Sequence, residues 1–290
     1  MSTLNYDKPR EHLPPPPWTN VIPEKEYHQA SLAGHFLSSG MLKEFRRCPA
    51  HYRALVLGTA RKRESDAFRL GRAVHKLLLE GERAFRAAFT VGGPINERTG
   101  RSFGPGTKAF DEWLAKNGLD KRSTLTRAEE SATRRIVASA RGHREVTKLF
   151  EEGWPELSAR AEMEGVPCQI RLDWLRPDLI AVDVKTVEDI SRFEGDARRF
   201  GYLHQFAFYF DGVRSVAGDE PEMTAVILEK KPPHRAGVWR FSRETLEPYV
   251  MQNRRSLAAV RRCRETGRWP TGYETPRNFP PAGIPPVWLN

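Results

Sequence analysis

Cysteine is scarce in this 290-residue chain: Cys48, Cys168 and Cys263 are far apart, odd in number and never spaced as C-x-x-C. Such a set supplies neither a disulfide framework nor a four-thiolate zinc or iron–sulfur site, and it fits reduced thiols in an intracellular protein. No stretch reaches the roughly 18 apolar residues needed to cross a bilayer. The segment Met1-Ser2-Thr3-Leu4-Asn5 lacks a signal-peptide pattern, so a soluble, cytoplasmic protein is expected. There is no G-x-x-x-x-G-K-[ST]: Gly104-Pro105-Gly106-Thr107-Lys108 has the wrong spacing, which argues against nucleotide-powered translocation. H-E-x-x-H and paired Cys/His zinc-finger patterns are missing too.

What is abundant is positive charge. Lys and Arg number 47 against 37 Asp and Glu, a net charge of +10. Arginine dominates the excess, which suits bidentate contact with a polyanion. The length allows one large core. Residues 1–30 are polar and interrupted by Pro14-Pro15-Pro16-Pro17, and read as an extended or disordered leader before a single domain over 31–290. Apolar spacing and caps predict short helices over 40–47 and from 50 toward Gly58, and longer ones over 65–80, 107–116 and 124–147. A glycine-rich loop spans 91–106. Strands are predicted at 157–164, 167–175 and 179–185, a helix at 199–215, strands at 222–230 and 236–241, and a helix over 243–266 before a Pro/aromatic arm from Trp269. Helices, a strand meander, a helix and further strands make a mixed α/β fold around one sheet.

The most informative stretch is Arg171-Leu172-Asp173 followed by Asp183-Val184-Lys185. Residues two apart on a strand share a face, so Asp183 and Lys185 point one way while Val182 and Val184 point the other. Pro177-Asp178 is turn chemistry. A turn centred near Pro177 sets Asp173 opposite residue 181 and diagonal to Asp183, roughly 6–8 Å away. Two carboxylates at that separation can hold one or two Mg²⁺ ions, and a neighbouring lysine can orient or deprotonate water, a constellation suited to phosphodiester hydrolysis. The bland reading of Asp-Val-Lys is a surface ion pair, but Leu179-Ile180-Ala181-Val182 marks a buried strand, a poor place for idle charge.

Other residues are candidates for the same site. His75 follows Gly71 by one helical turn, so a strand can approach that face; on the residues alone a hydrogen-bonded core histidine competes with a ligand. Glu80, about 140° around the helix from His75, reads as structural unless the helix breaks early. Glu162 is a second candidate acid, with an exposed strand carboxylate as the competing reading. Tyr202, Gln205 and Tyr209 form a polar stripe on an aromatic helix. Ser38 and Ser39 at a helix start, with Arg46 and Arg53 nearby in sequence, read either as a phosphate pocket or as a cap with solvated arginines.

Together these segments resemble the exodeoxyribonuclease VIII exonuclease-domain family of the P-D-(D/E)-x-K nuclease superfamily, to which lambda exonuclease also belongs. The resemblance rests on Ser38–Tyr52, Gly71–Glu80 (G-x-A-x-H-x-L-L-L-E), Asn96-Glu97-Arg98-Thr99-Gly100 and Cys168–Leu175 (C-x-x-R-x-D-W-L). It continues through Val182–Thr186 (V-D-V-K-T), Gly201–Tyr209, Glu229-Lys230, and Trp269-Pro270 with Gly272-Tyr273. Leu172 stands where the family usually has proline. The resemblance implies a restriction-endonuclease-like core and a Mg²⁺-dependent exonuclease, with Mn²⁺ able to substitute, acting 5′ to 3′ on double-stranded DNA ends. It further implies a ring-shaped homo-oligomer, a trimer or tetramer, working beside a single-strand annealing protein in phage-type recombination. By residue it assigns His75, Asp173, Asp183 and the Val184 carbonyl to metal, Lys185 to the attacking water, and Gln205 with Tyr209 to support or phosphate contact. The alternatives are another nuclease of the same fold, for single strands or repair, or a non-catalytic DNA-binding scaffold. A relic would be expected to have lost Asp173, Asp183 or Lys185, and all three are present.

Overall fold

Alternating apolar residues in the middle of the chain build the sheet, and helices with one apolar face cover it. The computed structural model describes residues 18–19, 22–61 and 68–276. Helix α1 (Glu24–Leu32) opens it, followed by α2 (Ser39–Arg47) and α3 (Pro49–Val56). Ser38 caps α2 by accepting from the Met41 N–H, and Pro49 opens α3, where its missing N–H costs nothing. Then come α4 (Phe68–His75), a π-helical turn (Lys76–Glu80), α5 (Gly81–Ala88), β1 (Thr90–Val91), α6 (Lys108–Asn117) and β2 (Thr124–Leu125). Helices α7 (Arg127–Gly142) and α8 (Arg144–Phe150) lead into β3 (Trp154–Met163), β4 (Val166–Leu175) and β5 (Ile180–Val187). The chain ends with α9 (Phe193–Arg199), α10 (Tyr202–Ala217), β6 (Glu222–Glu229), β7 (Ala236–Phe241) and α11 (Arg243–Thr266).

Five strands form a mixed sheet in the order β3-β4-β5-β6-β7, with β5 and β6 parallel and the other pairs antiparallel. The parallel pair needs a crossover, which α9 and α10 provide. One face carries Ile170, Leu172 and Ala181 against Phe45, Phe206 and Leu257 of α2, α10 and α11. The other carries Trp174, Val182 and Val184 against Val74, Leu78, Ile136 and Phe150 of α4, the π turn, α7 and α8. The architecture is the mixed α/β sheet flanked by helices that the sequence predicts.

Four local differences have physical causes. The stretch over 24–32 is helical, not extended leader: Tyr27 is buried, its hydroxyl donates to the Gln169 carbonyl, and Gln169 Nε2 donates back to the Tyr27 carbonyl. The tetraproline segment lies outside the described residues. The helix predicted over 124–147 breaks at His143, whose ring nitrogen caps α8. The one predicted over 199–215 is two helices divided at Gly201, whose φ of 74° suits glycine. The β4–β5 register is Trp174↔Val182 and Leu175↔Ala181, two residues away from a turn centred on Pro177. The connection is two residues longer, and Leu179 within it adopts φ 60°. A two-residue shift preserves which face each side chain occupies.

Candidate active site

The site lies where β4 and β5 part. Only two residue pairs join these strands, and beyond them Asp173 Oδ2 accepts from the Val184 N–H at 2.7 Å. The carboxylate thereby takes the place of a backbone acceptor. On the observed register Asp173 falls opposite Asp183. On the first face of the sheet, Asp183 and Lys185 point toward α10, and Lys185 Nζ lies 2.7 Å from Asp183 Oδ2. Asp183 is 2% exposed, and its Oδ2 makes no well-directed hydrogen bond among the described residues despite that close ammonium. From α10, Gln205 Nε2 donates to the Tyr209 hydroxyl at 3.0 Å and reaches Asp183 Oδ1 at 3.5 Å.

Helix α4 closes the other side. Gly71 faces β5 so closely that a Cβ there would meet Thr186 Oγ1 at 3.0 Å, the close approach predicted for that glycine. One turn later His75 Nδ1 sits 3.5 Å from Asp173 Oδ2. The helix then widens into the π turn, a distortion often found at functional positions. That turn brings Glu80 to Lys76, 2.5 Å away. Gly81 follows at φ 84°.

A third acid completes the group. Glu156 of β3 lies opposite Asp173 on the β3–β4 ladder, at φ 52°, and accepts from Arg171 Nε at 2.7 Å. Ligand atoms of His75, Glu156 and Asp173 all lie within 4.8 Å of one another. The sequence offered Glu162 as a second candidate acid with an exposed carboxylate as the competing reading; it pairs with Pro167 near the far end of the hairpin and is exposed. The Glu164-Gly165 turn held the missing signal, because a tight turn there sets Glu156 across from Asp173.

Electrostatics follow from burying several charges together. Desolvation raises the Asp173 carboxyl to about 7, with Glu156 adding repulsion and Lys185 opposing it. Desolvation raises Asp183 to about 6, against the pull of Lys185. For Lys185 desolvation works to lower the value, but Asp183 and Asp173 outweigh it and hold the ammonium above its ordinary range. Burial, then Lys185, lowers His75, leaving a neutral imidazole at neutral pH, the form that binds metal. Carboxylates that resist ionisation and a neutral imidazole, with ligand atoms of His75, Glu156 and Asp173 gathered at one point, form a donor set that fits a divalent cation.

The cleft encloses about 630 Å³ and is lined by His75, Glu156, Asp173, Val184, Lys185, Gln205 and Tyr209. Arg72, Arg122 and Arg171 bring positive charge to it. The serine–arginine group is dispersed instead. Ser38 is a buried cap that accepts from the Ser31 hydroxyl, and Ser39 sits against Tyr209. Arg46 and Arg53 do not line the cleft. Arg46 lies seven residues past Ser39, about 10 Å along α2, and donates to Asn253 Oδ1 at 2.5 Å. Arg53 lies over the Trp269 ring at 5.3 Å.

Comparison with known proteins agrees with this fold. A crystal structure of a provisionally named exonuclease from Eubacterium rectale superposes with a TM-score of 0.64 at 15% identity, covering 91% of this chain and 99% of that one. At that identity the likeness shows the fold. No curated protein matches the sequence. A family model described as a PDDEXK-like domain of unknown function (DUF3799) matches residues 38–275. This match runs from α2 to the C-terminal arm and includes His75, Glu156, Asp173 and Lys185, and the chain belongs to that PDDEXK-like family.

Proposed function

We propose that this protein is a Mg²⁺-dependent exodeoxyribonuclease that degrades linear double-stranded DNA, as the resemblance to the exodeoxyribonuclease VIII family implies. The observation that carries the reading is the convergence of Asp173, Lys185, His75 and Glu156 in one cleft of a basic protein, with the buried Asp183 against the Lys185 ammonium. Nucleases of the PDDEXK class typically use divalent metals. His75, Glu156 and Asp173 would hold the cation, with Asp183 and the Val184 carbonyl beside them. A bound cation would polarise the scissile phosphate and lower the pKa of a coordinated water.

The chain's own residues supply the remainder. Lys185, cationic at neutral pH, donates to the attacking water and offsets charge developing on the phosphate. Asp183 keeps the ammonium in place, and Gln205, braced by Tyr209, holds the other Asp183 oxygen. Arg72 and Arg122 at the cleft edge receive the phosphate backbone.

The test is incubation of end-labelled linear duplex and covalently closed circles with and without Mg²⁺. Mononucleotide release from linear DNA only, lost with chelator and cut to a small residual rate in Lys185→Ala while DNA binding persists, is the expected outcome. Rapid nicking of closed circles would replace the exonuclease reading with an endonuclease one, and turnover by Lys185→Ala at the wild-type rate would remove the mechanism.

A further inference from the structure

Lysine is a flexible point charge, and a single carboxylate does not fix where it points. Lys185 nevertheless occupies one place, with its side chain 18% exposed at the cleft. Its ammonium lies 5.3 Å from the Tyr202 ring centroid and 5.9 Å from that of Phe206. The two rings are one turn apart on α10 and form one wall. Each is backed by other rings. Tyr202 stacks on Phe193 at 6.4 Å, and Phe193 packs on Trp239 of β7 at 4.9 Å. Phe206, fully buried, packs on Phe241 of β7 at 4.8 Å. A helix spacing of four thus meets a strand spacing of two, and both rows end at the lysine.

We infer that Tyr202, with Phe206 behind it, is a positioning residue that seats the Lys185 ammonium between an aromatic wall and Asp183. An aromatic face attracts a cation without using up its N–H donors, so the wall restrains the ammonium and leaves those donors to Asp183 and the cleft. The ring makes this contact, and Tyr202 is the half-buried, replaceable half of the wall. The inference rests on the nuclease reading, in which Lys185 acts on water and phosphate.

The test uses Tyr202→Leu and Tyr202→Phe, each alone and combined with Lys185→Ala, in the full chain. In ¹³C-lysine-labelled protein, the Lys185 ε-methylene resonance is assigned by its loss in Lys185→Ala. Ring currents should displace it upfield in wild type and in Tyr202→Phe, and it should move toward the other lysines in Tyr202→Leu. On linear duplex with Mg²⁺, Tyr202→Leu should lower kcat by about tenfold, the rate equivalent of one cation–π contact in a desolvated site, with KM nearly unchanged. Tyr202→Phe should restore the rate, and Tyr202→Leu should cost nothing further in the Lys185→Ala background. If Tyr202→Leu does not fold, Tyr202→Met, closer in reach, serves the same comparison. An unmoved Lys185 resonance, or an equal loss with and without Lys185, overturns the inference. A wild-type protein inert on every DNA would sink the nuclease reading alone, because the resonance still reports whether the seat exists.

Discussion

Replacing Asp173 by asparagine should stabilise the metal-free protein and abolish its stabilisation by metal. The substitution keeps an acceptor for the Val184 N–H and removes only the charge. In the fold that carboxyl is raised from 3.8 to about 7, first by desolvation and then by repulsion from Glu156. At 1.36 kcal/mol per pKa unit, ionising it in the folded protein costs on the order of 4 kcal/mol, and water at the cleft edge screens part of this. A gain of roughly 2–4 kcal/mol, or about 3–7 °C in Tm, is therefore expected above neutral pH. The sign follows from proton counts. Below the unfolded value both states are protonated and the substitution changes little. As pH rises from about 4 to about 7 the unfolded chain releases its proton while the fold retains it, so wild type loses stability relative to the variant. Above that window the full gap is present. A divalent cation at a concentration of 100 Kd would add about 2.7 kcal/mol to wild type. The assay is urea and thermal unfolding between pH 4 and 8.5, with chelator and then with Mg²⁺ or Mn²⁺. A variant less stable than wild type at pH 8 in chelator, or equally stabilised by metal, would refute the reasoning.

Further outcomes follow from the same geometry. Glu156→Gln keeps an acceptor for Arg171 but removes a ligand charge, so Mn²⁺ affinity by calorimetry should fall about tenfold or more; unchanged affinity would take Glu156 out of the site. Arg72→Ala and Arg122→Ala should each weaken DNA binding across sequences and lower the salt slope of log K by about 1, measured by fluorescence anisotropy at several ionic strengths. Gly212→Ala places a Cβ 2.6 Å from Ile170 Cγ2, where α10 meets the sheet. It should cost about 1–3 kcal/mol in urea unfolding, and no loss would mean that α10 sits farther from the sheet.

Much of the fold was legible because its signals are local. Caps and apolar periodicity mark α2, α10 and α11, and the buried run before Asp183 marks β5, so the order of elements and the face shared by Asp183 and Lys185 come from spacing alone. The resemblance reaches the superfamily through the same residues; exodeoxyribonuclease VIII itself remains a proposal. What escaped depends on conformations that residue types do not announce. Leu179 and Glu156 both adopt positive φ, which their side chains disfavour. The first lies in a turn two residues longer than expected, which shifts the β4–β5 register, and the second belongs to a carboxylate beside Asp173 that the sequence reading did not single out. Ser38 and Arg46 are close in sequence but lie at opposite ends of one helix, so proximity along the chain did not become a phosphate pocket. The amino-acid sequence by itself determined which of the candidate groups share a strand or helix face, because residue type and strand or helix period are local properties. Only the tertiary structure decided which of them meet, because helix packing, strand register and the parting of β4 from β5 bring together atoms from α4, β3, β4, β5 and α10.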